Sequence, residues 1–166
     1  MPGREFDHID RLVAQWRRER PDLDVSALEL LGRLFRTAYL ADLALAEGAA
    51  DHGLKPGWFD LLAALRRAGA PFELRPTDLM EATMLSSGGI TKRLDRLAEA
   101  GLVERRPHPD DRRSAAVRLT RTGRALVDRA LESHIANEER LLEPLGPADR
   151  RTLDDLLRRL LAPLDS

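Results

Sequence analysis

One run of the sequence combines arginines with turn-forming residues between two strand-like segments: Arg105-Arg106-Pro107-His108-Pro109-Asp110-Asp111-Arg112-Arg113-Ser114. Cations on a protruding two-stranded loop suit the regularly spaced phosphates and the narrow minor groove of duplex DNA. Arg112 and Arg113 lie near the predicted tip, where a guanidinium group can enter the minor groove and a neighbouring aspartate can orient it. Arg105 and Arg106 lie at the base of the loop, closer to the protein body, which favours a structural or regulatory role for them.

A short helix with one polar face is predicted just before this loop. Ile90, Leu94 and Leu97 recur at helical spacing and form its buried stripe. The turn that precedes it, Ser86-Ser87-Gly88-Gly89, offers hydroxyl groups and unobstructed backbone N–H groups to a phosphate. With the brief helix before it, this helix makes a helix-turn-helix pattern. The residues predicted to contact DNA are Ser87, Thr91, Lys92, Arg96, Arg112 and Arg113.

The charge of the chain is unevenly distributed. The net charge of −1 is not the basic balance typical of a DNA-binding protein. However, residues 91–124 contain ten Lys or Arg against five Asp or Glu, so this window carries +5 and the rest of the chain −6. A local basic patch on an acidic body directs one face towards phosphate and keeps the remainder away from it.

The composition excludes several classes of protein. With 43% hydrophobic residues, the chain is too apolar to be disordered. It contains no cysteine, which excludes disulfides, thiolate catalysis and Cys-based zinc sites. The sequence has no GxGxxG, P-loop, nucleophile-elbow or HExxH motif, so we expect neither enzymatic activity nor a cofactor. It shows no signal peptide and no apolar run long enough for a membrane span, which predicts a cytoplasmic protein.

Hydrophobic periodicity and helix-breaking residues predict a mainly α fold. The predicted helices span residues 5–19, 25–50, 56–69, 76–84, 88–100, 122–143 and 148–162. The predicted strands, 102–106 and 114–120, form a two-stranded wing. Residues 54–121 are therefore expected to form a winged helix-turn-helix lobe, between an N-terminal part (1–53) and a C-terminal part (122–166).

Two of the predicted helices lie outside this lobe and carry unusually large apolar surfaces. The helix 25–50 is apolar around most of its circumference, and the helix 148–162 has leucines at i, i+3, i+4, i+7 and i+8. Such surfaces must be covered, either by other parts of the chain or by a partner.

Four segments together resemble the multiple antibiotic resistance regulator (MarR) family. They are Leu85-Ser86-Ser87-Gly88-Gly89-Ile90-Thr91-Lys92-Arg93-Leu94-Asp95-Arg96-Leu97, Gly101-Leu102-Val103-Glu104-Arg105-Arg106, Asp110-Asp111-Arg112-Arg113-Ser114 and Leu119-Thr120-Arg121-Thr122-Gly123. The resemblance implies a homodimer in which the N- and C-terminal helices interlock as dimerisation helices. It also implies two winged-helix lobes on pseudopalindromic double-stranded DNA, and a repressor that a small anionic or phenolic ligand releases.

A finer resemblance concerns the urate-responsive branch of this family, which has an extra N-terminal helix and a Trp, Asp, Arg, Arg set. That set corresponds here to Trp16, Asp60, Arg93 and Arg105, and it implies a binding site for urate or a similar small anion. Asp60 lies in an apolar helical run, where an unpaired carboxylate is costly. The sequence therefore predicts a buried ion pair between Asp60 and Arg93 or Arg105. A bound anion would displace Asp60 and shift the helix 88–100.

Other interpretations use the same residues. The ligand could be another anion such as an aconitate, or a phenolic acid, and Trp16 also continues the apolar stripe of its helix as a packing residue.

The histidines at 8, 52, 108 and 134 show no helical pairing, although His134 near Glu138 and Glu139 would be the best candidate for a zinc site in a metal sensor. A winged-helix module that binds protein would need the same elements.

Overall fold

The computed structural model describes residues 6–83, 89–107 and 115–165, which are mainly helical with one small sheet. The helices are α1 (His8–Glu19), α2 (Ser26–Ala50), α3 (Trp58–Arg67), α4 (Pro76–Glu81), α5 (Ile90–Glu99), α6 (Arg121–Leu141) and α7 (Pro147–Leu161). The strands are β1 (Glu73–Leu74), β2 (Val103–Pro107) and β3 (Ala115–Leu119). Every predicted helix and strand is present, with ends that differ by a few residues from the prediction. None of the helices in these ranges combines the length and hydropathy of a membrane span.

The chain divides into two units, Met1–Ala44 and Leu45–Ser166, with the boundary inside α2. In the first unit, α1 begins at a capping box. The Asp7 carboxylate accepts a hydrogen bond from the backbone N–H of Asp10, and the Asp10 carboxylate accepts one from that of Asp7. Ile9, Val13 and Val25 form a small apolar core in this unit. The cap explains why α1 starts at His8 rather than at residue 5.

An arginine of α2 binds the first turn of α1 within the same unit. Arg33 Nε donates a hydrogen bond to Asp7 (2.8 Å), Nη1 donates to Glu29 (2.9 Å), and Nη2 donates to Asp10. The hydrogen bond from Arg33 is the main cause that lowers the pKa of the Asp7 carboxyl to about 2. Asp7 therefore remains ionised at neutral pH, and the ion cluster fastens α1 to α2.

The core of the second unit joins α3, α4, α5, β3 and the first half of α6. Its fully buried side chains are Leu61, Leu62, Leu65, Leu79, Leu94, Leu97, Val117 and Val127. Burial of one such side chain stabilises a fold by about 1.5–3 kcal/mol, so these residues hold the helices around α5 in place. Because α6 contributes Val127 and Ala130 to this core, its first half packs with the lobe.

The sheet has the antiparallel order β1-β3-β2, so the wing hairpin gains a third strand that the sequence did not predict. β2 and β3 pair from Val103 opposite Leu119 to Pro107 opposite Ala115. Ala116 is as fully buried as Val117, although adjacent residues of a strand face opposite sides of the sheet. β3 is the central strand of the sheet, and Ala116 lies opposite Arg106 of β2.

Two helical glycines allow close approaches within the second unit. A Cβ added to Gly123, in the first turn of α6, would lie only 1.9 Å from the Leu102 carbonyl oxygen. A Cβ added to Gly48 of α2 would lie 2.0 Å from Asn137 Nδ2. The obstacle at Gly48 is the end of a flexible side chain, whereas at Gly123 it is backbone.

We predict that Gly123→Ala destabilises the protein by about 1–3 kcal/mol, because overpacking against backbone forces the helix to move. Gly48→Ala is the matched control. It should be neutral, or stabilising by up to about 1 kcal/mol, because the Asn137 amide can rotate away and alanine favours helix. Urea unfolding followed by circular dichroism at one protein concentration measures both changes. Equal losses for the two variants would contradict the role assigned to the Leu102 carbonyl.

Candidate nucleic-acid interface

Helix α5 buries one face and exposes the other. Gly89 precedes it with φ +89°, a left-handed conformation that glycine adopts readily, and the helix therefore begins at Ile90 rather than at residue 88. The predicted apolar stripe from Ile90 to Leu97 is confirmed, with exposures of 3% or less. Three of the residues predicted to contact DNA are exposed on the other face: Thr91, Lys92 and Arg96.

Lys92 and Arg96 are exposed cations on the same side of α5, four residues apart. Neither forms an ion pair with a carboxylate in the described part of the chain. An exposed cation with no internal partner keeps its charge available for a phosphate. The polar face of α5 therefore has the chemistry of a phosphate contact.

The arginines at the base of the wing differ from those on α5, because both are paired with carboxylates. An Arg105 Nη atom donates a hydrogen bond to Asp95 of α5, and Arg106 Nε lies 2.8 Å from Glu104 of its own strand. Both pairs are about half exposed, so each contributes at most about 1 kcal/mol. The Arg105 pair nevertheless links α5 to β2, which is consistent with the structural role expected for the base of the wing.

Three of the residues predicted to contact DNA lie outside the described residues: Ser87, before α5, and Arg112 and Arg113, near the predicted tip of the wing. The ladder of β2 and β3 is described up to the pair of Pro107 with Ala115.

The predicted buried ion pair of Asp60 is wrong. Asp60 forms no ion pair with Arg93, Arg105 or any other described residue, and it is partly exposed. Arg105 is instead bound to Asp95. Asp60 lies in the first turn of α3, where the positive end of the helix stabilises a carboxylate, and solvent contact removes much of the expected burial cost.

Arg93 crosses from α5 to the N-terminal end of α3. Gly57 precedes α3 with φ +74°, and a Cβ added there would lie 3.0 Å from Arg93 Nε. Arg93 is therefore partly buried between α5 and the start of α3. Its guanidinium group lies against the positive end of the α3 dipole, a surrounding that favours an anion close by.

Trp16 belongs to the first unit, on α1. It is 48% exposed, and its backbone carbonyl accepts the N–H of Arg20 at 2.7 Å where α1 ends. The other tryptophan, Trp58, is buried in the core of the second unit. The packing of α1 thus leaves about half of the Trp16 side chain exposed.

His52 and His134 are held by neighbouring side chains rather than grouped as metal ligands. His134 stacks on Phe59 with ring centres 4.3 Å apart and lies 3.3 Å from Glu138. His52 Nε2 lies 2.8 Å from Ser133 Oγ. Across the ranges that the structure describes, no three His, Asp or Glu residues are arranged to hold a metal ion. His108 lies outside these ranges.

Asp95 is a site residue to which the sequence assigned no role. It stands among the exposed residues of α5, and nothing in the local pattern identifies its partner ten positions later. The only available signal was that a wing-base arginine must lie near the end of the preceding helix.

We predict a coupling energy of about 0.2–1 kcal/mol between Asp95 and Arg105, and none between Asp60 and Arg105. Two double-mutant cycles measure this, one with Asp95→Ala and Arg105→Ala, the other with Asp60→Ala and Arg105→Ala, using urea unfolding. Coupling confined to the Asp60 cycle would show that the predicted pair forms in solution after all.

Comparison with known proteins gives this geometry a family context. A model of the MarR family matches residues 52–114. The HTH-type transcriptional regulator PecS of Dickeya dadantii is 41% identical over 152 residues, which cover 92% of each chain.

Two solved structures resemble the chain closely in fold. A mutant MarR from E. coli complexed with operator DNA has a TM-score of 0.70 and 27% identity, covering 88% of this chain and 97% of that one. BpsR of Bordetella bronchiseptica, whose structure concerns regulation of DNA binding by 6-hydroxynicotinic acid, has a TM-score of 0.69 and 27% identity. The match covers 78% of this chain and 90% of that one. These likenesses confirm the predicted winged-helix fold. The chain belongs to the MarR family of transcriptional regulators.

Proposed function

We propose that this regulator is a homodimeric repressor that binds pseudopalindromic promoter DNA and is released by a small anionic ligand such as urate. The observation that carries the proposal is the exposed face of α5, where Lys92 and Arg96 have no carboxylate partner in the described ranges, beside a wing whose base is tied to the same helix. This arrangement suits insertion of α5 into a major groove, with the wing over the adjacent minor groove.

Each predicted contact has a distinct chemical task in this proposal. Lys92 and Arg96 neutralise phosphates or bond guanine edges, and the Thr91 hydroxyl bonds a phosphate or a base. Ser87 binds phosphate before α5, while Arg112 and Arg113 enter the minor groove from the wing tip. The MarR structure with operator DNA supports this assignment as an analogy of fold and family.

Dimerisation is proposed because three helices present apolar side chains that the single chain leaves exposed. α2 and α7 contain no buried residue. The exposed large apolar residues are Leu28, Leu30, Leu31, Phe35, Tyr39, Leu40 and Leu43 on α2, Leu131, Ile135 and Leu141 on α6, and Leu153, Leu156, Leu157, Leu160 and Leu161 on α7. Apolar surface on this scale is typical of an interface, and a symmetric dimer would present two lobes to two half-sites about one helical turn apart.

The ligand proposal rests mainly on Arg93. Its guanidinium group lies at the positive end of α3, so an anion there would interact favourably with both the cation and the helix. Asp60, in the first turn of α3, is the carboxylate that such an anion would repel. Arg105 acts through its bond to Asp95 on α5, and Trp16 is included on the family resemblance. That BpsR is regulated by 6-hydroxynicotinic acid supports a small aromatic acid as the ligand class.

We predict that binding to a duplex of the chain's own upstream region weakens steeply with salt, and that Lys92→Ala and Arg96→Ala each flatten this dependence. Each lost phosphate contact reduces the slope of log K against log salt by about one, hence by about two in a symmetric dimer. Fluorescence anisotropy at several salt concentrations measures the slopes. Arg158→Ala on α7 removes an exposed charge that is paired with Asp154, and it is the control. It should leave the slope of log K against log salt unchanged. Binding with no salt dependence would contradict the proposal, and no binding at all would favour a protein-binding module.

We predict that urate weakens DNA binding at least tenfold, which requires about 1.4 kcal/mol of coupling. Urate should also quench the fluorescence of Trp16 and lose this effect in Trp16→Phe. Arg93→Gln and Asp60→Asn should bind DNA but respond less to urate.

The same titration separates the alternatives for the ligand. If urate neither quenches fluorescence nor releases DNA, the assignment of Trp16, Asp60, Arg93 and Arg105 fails. Release by an aconitate, a phenolic acid or zinc in this assay would then identify the ligand class.

A further inference from the structure

Thr120, between β3 and α6, binds two elements through one hydroxyl. Its Oγ1 lies 2.7 Å from the carbonyl oxygen of Gly101 and 3.2 Å from that of Leu102. The same oxygen accepts a hydrogen bond from the N–H of Gly123 at 3.0 Å, which caps α6. The Thr120 N–H donates to the Leu102 carbonyl at 3.1 Å. The hydroxyl proton can therefore bond the segment 101–102 while the oxygen caps the helix.

The segment held by Thr120 is the end of α5. The N–H of Leu102 donates to the Leu97 carbonyl at 3.0 Å, and the N–H of Gly101 donates to that of Ala98 at 2.9 Å. Leu102 is buried, and β2 begins at the next residue. Because Gly123 has no side chain, α6 also lies directly against the Leu102 carbonyl. One junction thus joins the end of α5, the start of the wing and the start of α6.

Helix α6 continues well beyond this junction. Its first half is packed in the core through Val127 and Ala130, whereas Leu131, Ile135 and Leu141 are exposed farther along. The orientation of α5 relative to α6 would therefore determine where each α5 lies in a dimer assembled through the exposed half. A small change of the angle at the junction would displace α5 from its position in the dimer, because the dimer contacts lie far along α6. Two half-sites at a fixed spacing tolerate little displacement of this kind.

We propose that Thr120 is a positioning residue for DNA binding, whose hydroxyl fixes the end of α5 and the base of the wing to α6. This inference rests on the proposed DNA-binding function. The donated hydrogen bond to the segment 101–102 serves this role, and the cap on α6 serves helix stability. The two functions of the hydroxyl can be separated by substitution.

The test compares variants that keep or remove each function. Thr120→Ser keeps both, Thr120→Val removes both, and Thr120→Asp keeps a good cap for Gly123 but cannot donate to a carbonyl. Thr122→Asp adds the same charge at an exposed neighbouring position in α6, and Thr152→Val removes a comparable hydroxyl, which bonds the Ala148 carbonyl in α7.

The measurements are the dissociation constant for the upstream duplex and, in parallel, the urea midpoint of each variant. We expect Thr120→Val and Thr120→Asp to bind DNA at least tenfold more weakly than wild type. The dissociation constants of Thr120→Ser and Thr152→Val should remain within about twofold of that of wild type. Thr122→Asp should lose clearly less DNA affinity than Thr120→Asp. Because its cap on α6 remains, Thr120→Asp should unfold at a higher urea concentration than Thr120→Val while binding DNA as weakly, which separates positioning from folding.

Several outcomes would overturn the inference. Wild-type affinity in Thr120→Asp, or a loss in Thr120→Ser as large as that in Thr120→Val, would show that the donated hydrogen bond does not matter. Equal losses in Thr120→Asp and Thr122→Asp would assign the effect to charge alone. If wild type itself does not bind the duplex, the proposed function fails, and this outcome is distinct from all of the others.

Discussion

The close contact between the first turn of α6 and the Leu102 carbonyl is the constraint on which the rest of the second unit depends. Only a hydrogen atom at residue 123 leaves room for that carbonyl, and the Thr120 hydroxyl bonds the same segment. Once α6 lies there, Val127 and Ala130 enter the core shared by α3, α5 and β3. The helix with the exposed cations, the wing and the long helix α6 are thereby parts of one packed body. A displacement of α5 must therefore strain either this junction or the core.

The charged side chains of the wing base and those of α5 differ in whether they have carboxylate partners. At the base of the wing, Arg105 and Arg106 are each offset by a carboxylate, whereas Lys92 and Arg96 on α5 have no such partner in the described ranges. The Arg105 pair holds β2 to α5, the Arg106 pair lies within β2, and the unpaired cations are available to a polyanion. This division explains how a chain with a net charge of −1 can present a phosphate-binding face. In the regulation proposed above, a bound anion would act on α5 either directly through Arg93 or through the pair of Arg105 with Asp95.

Local patterns in the sequence were sufficient for the elements and for the buried face of α5, because helical and strand periodicity depend on neighbours a few residues apart. They were not sufficient for contacts between elements. The two-residue strand β1 exists only because it pairs with β3, and its short sequence carries no periodicity of its own. The partner of Arg105 was misassigned because burial of Asp60 was overestimated and the position of Asp95 beside β2 depends on packing. The ion cluster around Arg33 joins residues up to 26 positions apart and was likewise invisible locally.

Hydrogen exchange of the full chain, with and without a duplex of its own upstream region, would show whether α5 and the wing meet DNA as one body with the start of α6. We expect slower exchange on DNA binding in residues 90–99, 103–107 and 115–123, with α7 unchanged. Increased protection that leaves residues 90–99 unaffected, or that is confined to α2 and α7, would contradict it.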